Sequence, residues 1–326
     1  MARSTIKMPS KSSNLPDGVE DITSSEAIEL EKLKRSLLDF YQSKNFQLTY
    51  PSLIEFADAI GGVQNESLKD SAFTFSDDLS TKELIIRPDI SQQIARIDQA
   101  EASDGEKRYC YVGEVLKKRK DSFSRSRITV KAGIEIFGGG DNKFEILKLL
   151  SESMVIGNLK DLTLSFGKTE ILDSILEPLN LSQEENYSLN KIISFKSKTD
   201  LLICLDEFKI DRTVVDKLLT LIDCNGDLSV ISTLKKIKID EKIINELEEI
   251  WNFIDNETSF KPHIDVTDFP GFNYHKGLVF SAHSADLGFS IANGGNYFSQ
   301  TASGSTRSAI GFDQDIIAMT KLKVKK

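Results

Sequence analysis

An α+β fold, with an antiparallel sheet flanked by helices and interrupted by a helical insertion, is what the 326-residue sequence predicts. Three observations carry that expectation. Tyr109 to Leu116 and Ile128 to Phe137 are two extended segments, the second alternating strictly between apolar and other residues. From about Asn142 to Asp255 the pattern is mostly helical, with breaks near Gly157, Gly167, Pro178, Asn225-Gly226 and Ile239-Asp240. Extended segments then resume at Ile264 to Thr267, Leu278 to Ala282 and Gly288 to Ala292. Strands that arrive in runs pair antiparallel, and the alternating βαβ rhythm of a dinucleotide fold is missing.

Before the strand pair, Asn14 to Gly18 is turn chemistry, and Thr23-Ser-Ser-Glu26 has capping-box spacing for a helix. Ala27, Leu30, Leu33, Leu37 and Phe40 give that helix one apolar stripe to lay on a sheet. Phe46 to Phe56 reads as extended around Pro51, and Glu83 to Arg87 as a short strand. Pro88-Asp89 then opens a helix through Asp98, with Asp89 as its N-cap. Gly138 to Gly140, Gly294-Gly295 and Ser303-Gly304 read as turns, and Gly311 to Thr320 as a glycine break followed by a helix. Leu201 to Leu205 and Leu228 to Ile231 are too short to assign. The resulting division is a disordered tail over 1–13, a core in two parts, 14–158 and 256–326, and a mainly helical insertion over 159–255.

Composition narrows the function. The net charge of −9 and the absence of a Lys/Arg-rich face disfavour large nucleic-acid partners. No stretch approaches the roughly 20 apolar residues of a membrane span, and the start carries Arg3, Lys7 and Lys11 among serines with no apolar run. The expected address is the cytoplasm. Cys110, Cys204 and Cys224 are odd in number and match no metal or disulfide spacing, so they read as core thiols. His263 and His283 have no metal-like spacing either, and no metal is expected.

On the alternating strand, Ile128 to Ile136 take one face, while Thr129, Lys131, Gly133 and Glu135 take the other. That second face is either a polar pocket floor or a solvated sheet surface, and Glu135 either meets a ligand or pairs with Lys131. Asp89 has two readings as well, a cap worth about 1 kcal/mol or an acid offered to a ligand. Ser122 to Arg127, with Arg125 and Arg127, is either a solvated loop or a phosphate contact.

Seven segments, in order and spacing, resemble the class II aminoacyl-tRNA synthetase core. In detail they are similar to the histidyl-tRNA synthetase family and its regulatory paralogue in histidine biosynthesis. Asn14 to Asp21 resembles the family's opening, Phe46 to Glu55 its dimer-forming motif 1, and Leu84 to Arg96 with Tyr109 to Leu116 the surroundings of motif 2. Phe272 to Phe280 and Ile291 to Tyr297 resemble the two histidine-specific segments, and Ala309 to Phe312 a remnant of motif 3. The resemblance implies a histidine pocket at Asp89 and Ser91, Glu135 on the facing strand, and the aromatic positions Tyr274, His275 and Tyr297, with Lys117 and Lys131 also among the candidate binding residues. Such residues suit the ligand, whose ammonium and imidazole N–H lose water and need acceptors.

Adenylate chemistry needs arginines, and the resemblance places Lys117, Pro270 and Ala318 where the family's three stand. No catalytic residue, ATP or other cofactor is therefore expected. The resemblance implies a regulatory subunit that lacks the anticodon-binding domain and serves a short-form catalytic subunit of ATP phosphoribosyltransferase. It also implies a homodimer inside a hetero-oligomer, without tRNA, with L-histidine as effector. Departures from the regulatory pattern are Asn293 and Asn296 in place of arginines, Phe298 in place of an acid, and Lys131 in place of a pocket glutamine. Two rivals stay open, a divergent ligase and a scaffold whose pocket is defunct.

Overall fold

The computed structural model describes residues 14–59, 66–101, 105–118, 126–267, 275–300 and 306–324. The expectations for the tail, Ser122, Arg125, Pro270, Tyr274 and Ser303-Gly304 lie outside those residues.

The first helix, α1 (Ser24–Ser43), buries Leu33, Leu37 and Tyr41, with Leu30 and Phe40 half-buried beside them. The capping box is not formed. Ser24 has φ 54, which turns the chain away from Thr23, and the Thr23 side chain makes no cap hydrogen bond.

The stretch around Pro51 divides between two sheets instead of forming one strand. β1 (Gln47–Leu48) and β2 (Ile54–Phe56) flank the proline, which has no N–H to give a ladder. After α2 (Glu66–Ser71), β3 (Thr74–Ser76) and β4 (Glu83–Ile86) complete a small antiparallel sheet ordered β2-β4-β3. The helix α3 (Ser91–Glu101) follows, and β5 (Lys107–Leu116) and β6 (Ile128–Phe137) then pair antiparallel, as expected. Gly138 and Gly139 make the turn beyond β6 at φ +68 and +82.

The helix α4 (Lys143–Ile156) leads into β7 (Leu162–Lys168), a strand inside the region the sequence assigned to helices. Leu162, Leu164 and Phe166 alternate along it with Thr163, Ser165 and Gly167, and nearly all of its residues are buried because both faces are covered. The insertion proper starts at α5 (Thr169–Leu176) and continues through α6 (Gln183–Ser194), α7 (Lys198–Glu207) and α8 (Arg212–Ile222). It ends with the two-residue strand β8 (Asn225–Gly226), α9 (Ser229–Lys236) and α10 (Glu241–Glu257). Leu201 to Leu205 therefore lies inside α7, and Leu228 to Ile231 opens α9.

The last quarter supplies β9 (Lys261–Asp265), β10 (His275–Ser284), β11 (Ser290–Gln300), β12 (Thr306–Asp315) and α11 (Ile316–Val324). With these the large sheet runs β1-β5-β6-β12-β11-β10-β7-β9-β8. Its six central strands are antiparallel, while β1 on β5 and β9 on β7 are parallel. Two glycine readings are corrected here. Gly294-Gly295 sits inside β11, not in a turn, and Gly311 sits inside β12, not at a break. A Cβ on Gly294 would stand 2.4 Å from the Gly311 carbonyl oxygen and 2.5 Å from the Phe280 ring, so close strand packing demands the glycine.

One face of the large sheet carries the main core, with Ile134, Ile136, Phe280, Ile310 and Phe312 packed against α1, α4 and α11. Gln314 is fully buried there and fully used, donating to Tyr41 Oη at 2.7 Å and accepting from Ser153 Oγ at 2.9 Å. The small sheet is latched to the large one by Arg87. Its Nε donates to the Glu114 carbonyl at 2.7 Å and its Nη1 to the Pro51 carbonyl at 2.9 Å. Gly113 makes room, since a Cβ there would lie 2.1 Å from Arg87 Nη2.

Losing a charged donor leaves two carbonyls without a partner, so Arg87→Met is expected to destabilise the fold by about 2–4 kcal/mol in urea unfolding. Hydrogen exchange should quicken first around β2 and β4. A change below about 0.5 kcal/mol would show that packing alone holds the two sheets together.

Candidate functional site

The opposite face of the large sheet is polar, and strand register decides what meets there. Glu135 on β6 lies opposite Gly311 on β12, which in turn lies opposite Gly295 on β11. Gly133 lies opposite both Tyr111 on β5 and Asp313 on β12. Tyr297 pairs with Ala309 on one side and His275 on the other. The helix α3 covers this face and brings Ser91 down onto it.

Glu135 is the centre of the site and only 1% exposed. Ser91 Oγ donates to its Oε1 at 2.6 Å, Tyr111 Oη approaches the same oxygen at 3.4 Å, and Tyr297 Oη donates to Oε2 at 2.9 Å. The carboxylate leans over Gly311, where a Cβ would stand 2.0 Å from Oε2. Burial pushes the Glu135 carboxyl up to about 8, and Asp89 and Asp313 push the same way against the hydrogen bonds from Ser91 and Tyr297.

The second polar centre is the ion pair of Lys131 Nζ with Asp313 Oδ1 at 2.5 Å, both side chains largely buried. Lys131 thus pairs with Asp313, and not with Glu135 as one reading of the sequence had it. Asp313 lies across the sheet directly opposite Gly133, within reach of the strand position two residues before it. Burial would lower the Lys131 ammonium, but Asp313 and Asp315 outweigh it and hold it above its ordinary range. Burial shifts the Asp315 carboxyl upward against the pull of Lys131, and its Oδ1 accepts the Ala318 N–H at the start of α11.

Asp89 is half-buried, and α3 begins beyond it. Ile90 holds the cap position, with its carbonyl accepting the Ile94 N–H at 3.1 Å, so the N-cap reading of Asp89 is displaced by one residue. Burial, then Asp313, raise the Asp89 carboxyl to about 6, opposed by the Ile90 N–H and by Lys131 and Lys117. His275 Nδ1 lies 3.2 Å from the Asn296 carbonyl, so that nitrogen carries the proton, and burial lowers the ring to about 4. The imidazole is neutral at pH 7.

Lys117 belongs to the rim, where its N–H bonds the Arg127 carbonyl at 2.9 Å and its charge acts on Asp89. Arg127 lies 4.7 Å over the Phe73 ring, a packing role that does not need a phosphate. His263 and His283 pair with Ser165 and Ser281 on strands further along the same sheet. Among the described residues no group of three or more His, Cys, Asp or Glu is placed to hold a metal. Sequence reasoning missed Tyr111, Asp313 and Asp315. The alternation Gly311, Asp313, Asp315 against Ile310, Phe312, Gln314 signals them once the segment is read as a strand.

Among the described residues, this buried acid with three hydroxyls on it, glycines beside it and a neutral imidazole nearby has no activated nucleophile, and Lys131, the cation beside it, is engaged by Asp313. The arrangement fits binding of a small polar molecule. The fold and this site define a histidyl-tRNA synthetase-type chain, and the model of the histidyl-tRNA synthetase family matches residues 18–319. The ATP phosphoribosyltransferase regulatory subunit of Polynucleobacter asymbioticus is 31% identical over 322 residues, covering 94% of this chain and 82% of its own. That of Saccharophagus degradans is 29% identical over 318 residues, covering 94% and 81%. This chain belongs to the ATP phosphoribosyltransferase regulatory subunits, a branch of the histidyl-tRNA synthetase family.

Solved structures agree in fold. An ATP phosphoribosyltransferase regulatory subunit/histidyl-tRNA synthetase from Bacillus halodurans superposes with a TM-score of 0.79 at 17% identity, covering 94% of this chain and 82% of that one. A chain of the ATP phosphoribosyl transferase (HisG:HisZ) complex from Thermotoga maritima gives 0.66 at 16%, covering 88% and 97%.

Glu135 makes stability pH-dependent. Its folded value of about 8 lies above the ordinary 4.5, so the folded state keeps a proton that the unfolded chain has lost. This contribution is fully present below pH 4.5 and drains away as pH rises through about 8. Urea unfolding of the unliganded protein at pH 5, 6.5 and 8 should show stability falling with pH, by up to about 1.4 kcal/mol per unit from this group. In Glu135→Gln that slope should flatten, and an unchanged slope would remove Glu135 as its source.

Proposed function

We propose that this chain is the histidine-sensing subunit of a hetero-oligomeric ATP phosphoribosyltransferase, needed for the activity of a separate short-form catalytic subunit. Its family's role is regulatory, not catalytic, and the polar face described above is where L-histidine would act as a feedback signal. The buried Glu135 carboxyl is the observation that carries this reading. A desolvated acid held by three hydroxyls is expensive to keep, and an imidazole N–H is a donor that such an acid can accept. Ser91, Tyr297 and His275 surround the same space, and Asp89 offers a second acceptor at its rim. Inhibition would follow if histidine prefers one arrangement of the complex, because a ligand shifts an equilibrium only by its differential affinity.

The small sheet supports a homodimer within that complex. Ile54 and Phe56 on the edge strand β2 are exposed, as are Tyr50 and Leu53 just before it and Phe75 on β3, the other edge of the small sheet. A cluster of exposed apolar side chains along an open strand edge is a surface that a second copy would cover.

Isothermal titration of the purified chain with L-histidine tests the reading. Micromolar binding is expected, lost by at least about 100-fold in Glu135→Ala, with proton release at pH 7 as the acid ionises to meet the ligand. Heats measured in buffers of different ionisation enthalpy report that proton. In sedimentation equilibrium the same preparation should give twice the 36.4 kDa chain mass. An absence of heat up to millimolar histidine would leave a subunit whose role is to assemble its partner.

A further inference from the structure

The Lys131–Asp313 pair is a costly thing to place in a pocket. Two opposite charges are held largely out of water on the floor of a site that already contains Asp89, Glu135 and Asp315. Neither is needed to shape the sheet, since the strands around them are fixed by backbone register.

Their position is informative. Asp313 stands opposite Gly133, so Lys131 and Glu135, two residues before and two after that glycine, are its diagonal neighbours at about 7–8 Å between backbones. Glu135 leans across the strand to lie over Gly311, which places its carboxyl in the same row as Asp313, about two residues or 7 Å along β12. Three charges therefore follow one another across the floor: an ammonium, a carboxylate paired with it, and a second carboxyl a short step further on.

We infer that Lys131 and Asp313 read the α-carboxylate and α-ammonium of the amino-acid ligand while Glu135 takes its side-chain ring. This rests on the histidine reading above. An α-amino acid carries its two charges on one carbon, so it can insert into an existing ion pair and give each member a new partner of the right sign. In the free protein Lys131 and Asp313 satisfy each other. In the complex both remain paired, and neither charge is left buried alone. An imidazole amine does not offer this exchange, because its ammonium would displace Lys131 from Asp313 and bring no carboxylate to take that partner's place, leaving the lysine only the more distant pull of Asp315 and Asp89. The pair thus selects amino acids over the corresponding amines.

Titration calorimetry with L-histidine and with histamine, on the wild type, Lys131→Met, Asp313→Asn and Glu135→Gln, tests this. The wild type should prefer L-histidine by at least about tenfold. Lys131→Met should bring the two ligands within about threefold of each other, mainly by weakening L-histidine, and its retained histamine binding shows that it is folded. Asp313→Asn should weaken both ligands by about tenfold or more. An unchanged preference in Lys131→Met, or tighter L-histidine binding there as if a plug had been removed, would overturn the inference while the histidine reading stands. L-histidine binding that ignores Glu135→Gln, or no binding to the wild type, would instead remove the pocket reading and this inference with it.

Discussion

The desolvation of one carboxyl group organises this molecule's polar face. Glu135 sits in a sheet whose other side is an apolar core, and strand alternation forces its side chain to the side where α3 closes over it. Everything around it answers that burial. Ser91, Tyr111 and Tyr297 bring hydroxyls from α3, β5 and β11, and Gly311 gives up a side chain so that the carboxyl can lean over β12.

The same sheet explains how a catalytic scaffold becomes a regulatory one. Activation of an amino acid requires cations to hold phosphates. Among the described residues the charges near this site are mostly acids, with Lys131 engaged by Asp313 and Lys117 at the rim. In the proposed reading, what persists is the part of the chemistry that recognises a small molecule. The architecture needed for that is inexpensive, because a six-strand antiparallel centre fixes which residues face each other without further help.

Much of this was legible in the sequence, for identifiable reasons. The β5 and β6 pair was readable because one strand alternates strictly, and that alternation also put Lys131 and Glu135 on one face. α1 was readable from its apolar stripe. β7 was not, although Leu162, Leu164 and Phe166 alternate with Thr163, Ser165 and Gly167, because three alternations between helical stretches are a short signal and Gly167 read as a break. The strands β11 and β12 were misread at Gly294, Gly295 and Gly311, where glycine serves close packing, a role local propensity does not reveal. That misreading also hid Asp313, the residue that engages Lys131. The pairing of Lys131 with Asp313 instead of Glu135 joins residues 182 positions apart in the chain, a distance at which spacing rules say nothing.

The central claim is that Glu135 is a buried acid that waits for a ligand, and its own titration is the most direct test. The chemical shift of the Glu135 carboxyl carbon, followed by NMR from pH 4 to 10, should give a midpoint near 8 in the free protein. With saturating L-histidine it should fall well below 7. A midpoint that is the same with and without histidine would contradict the account, whatever the role of the chain in its complex.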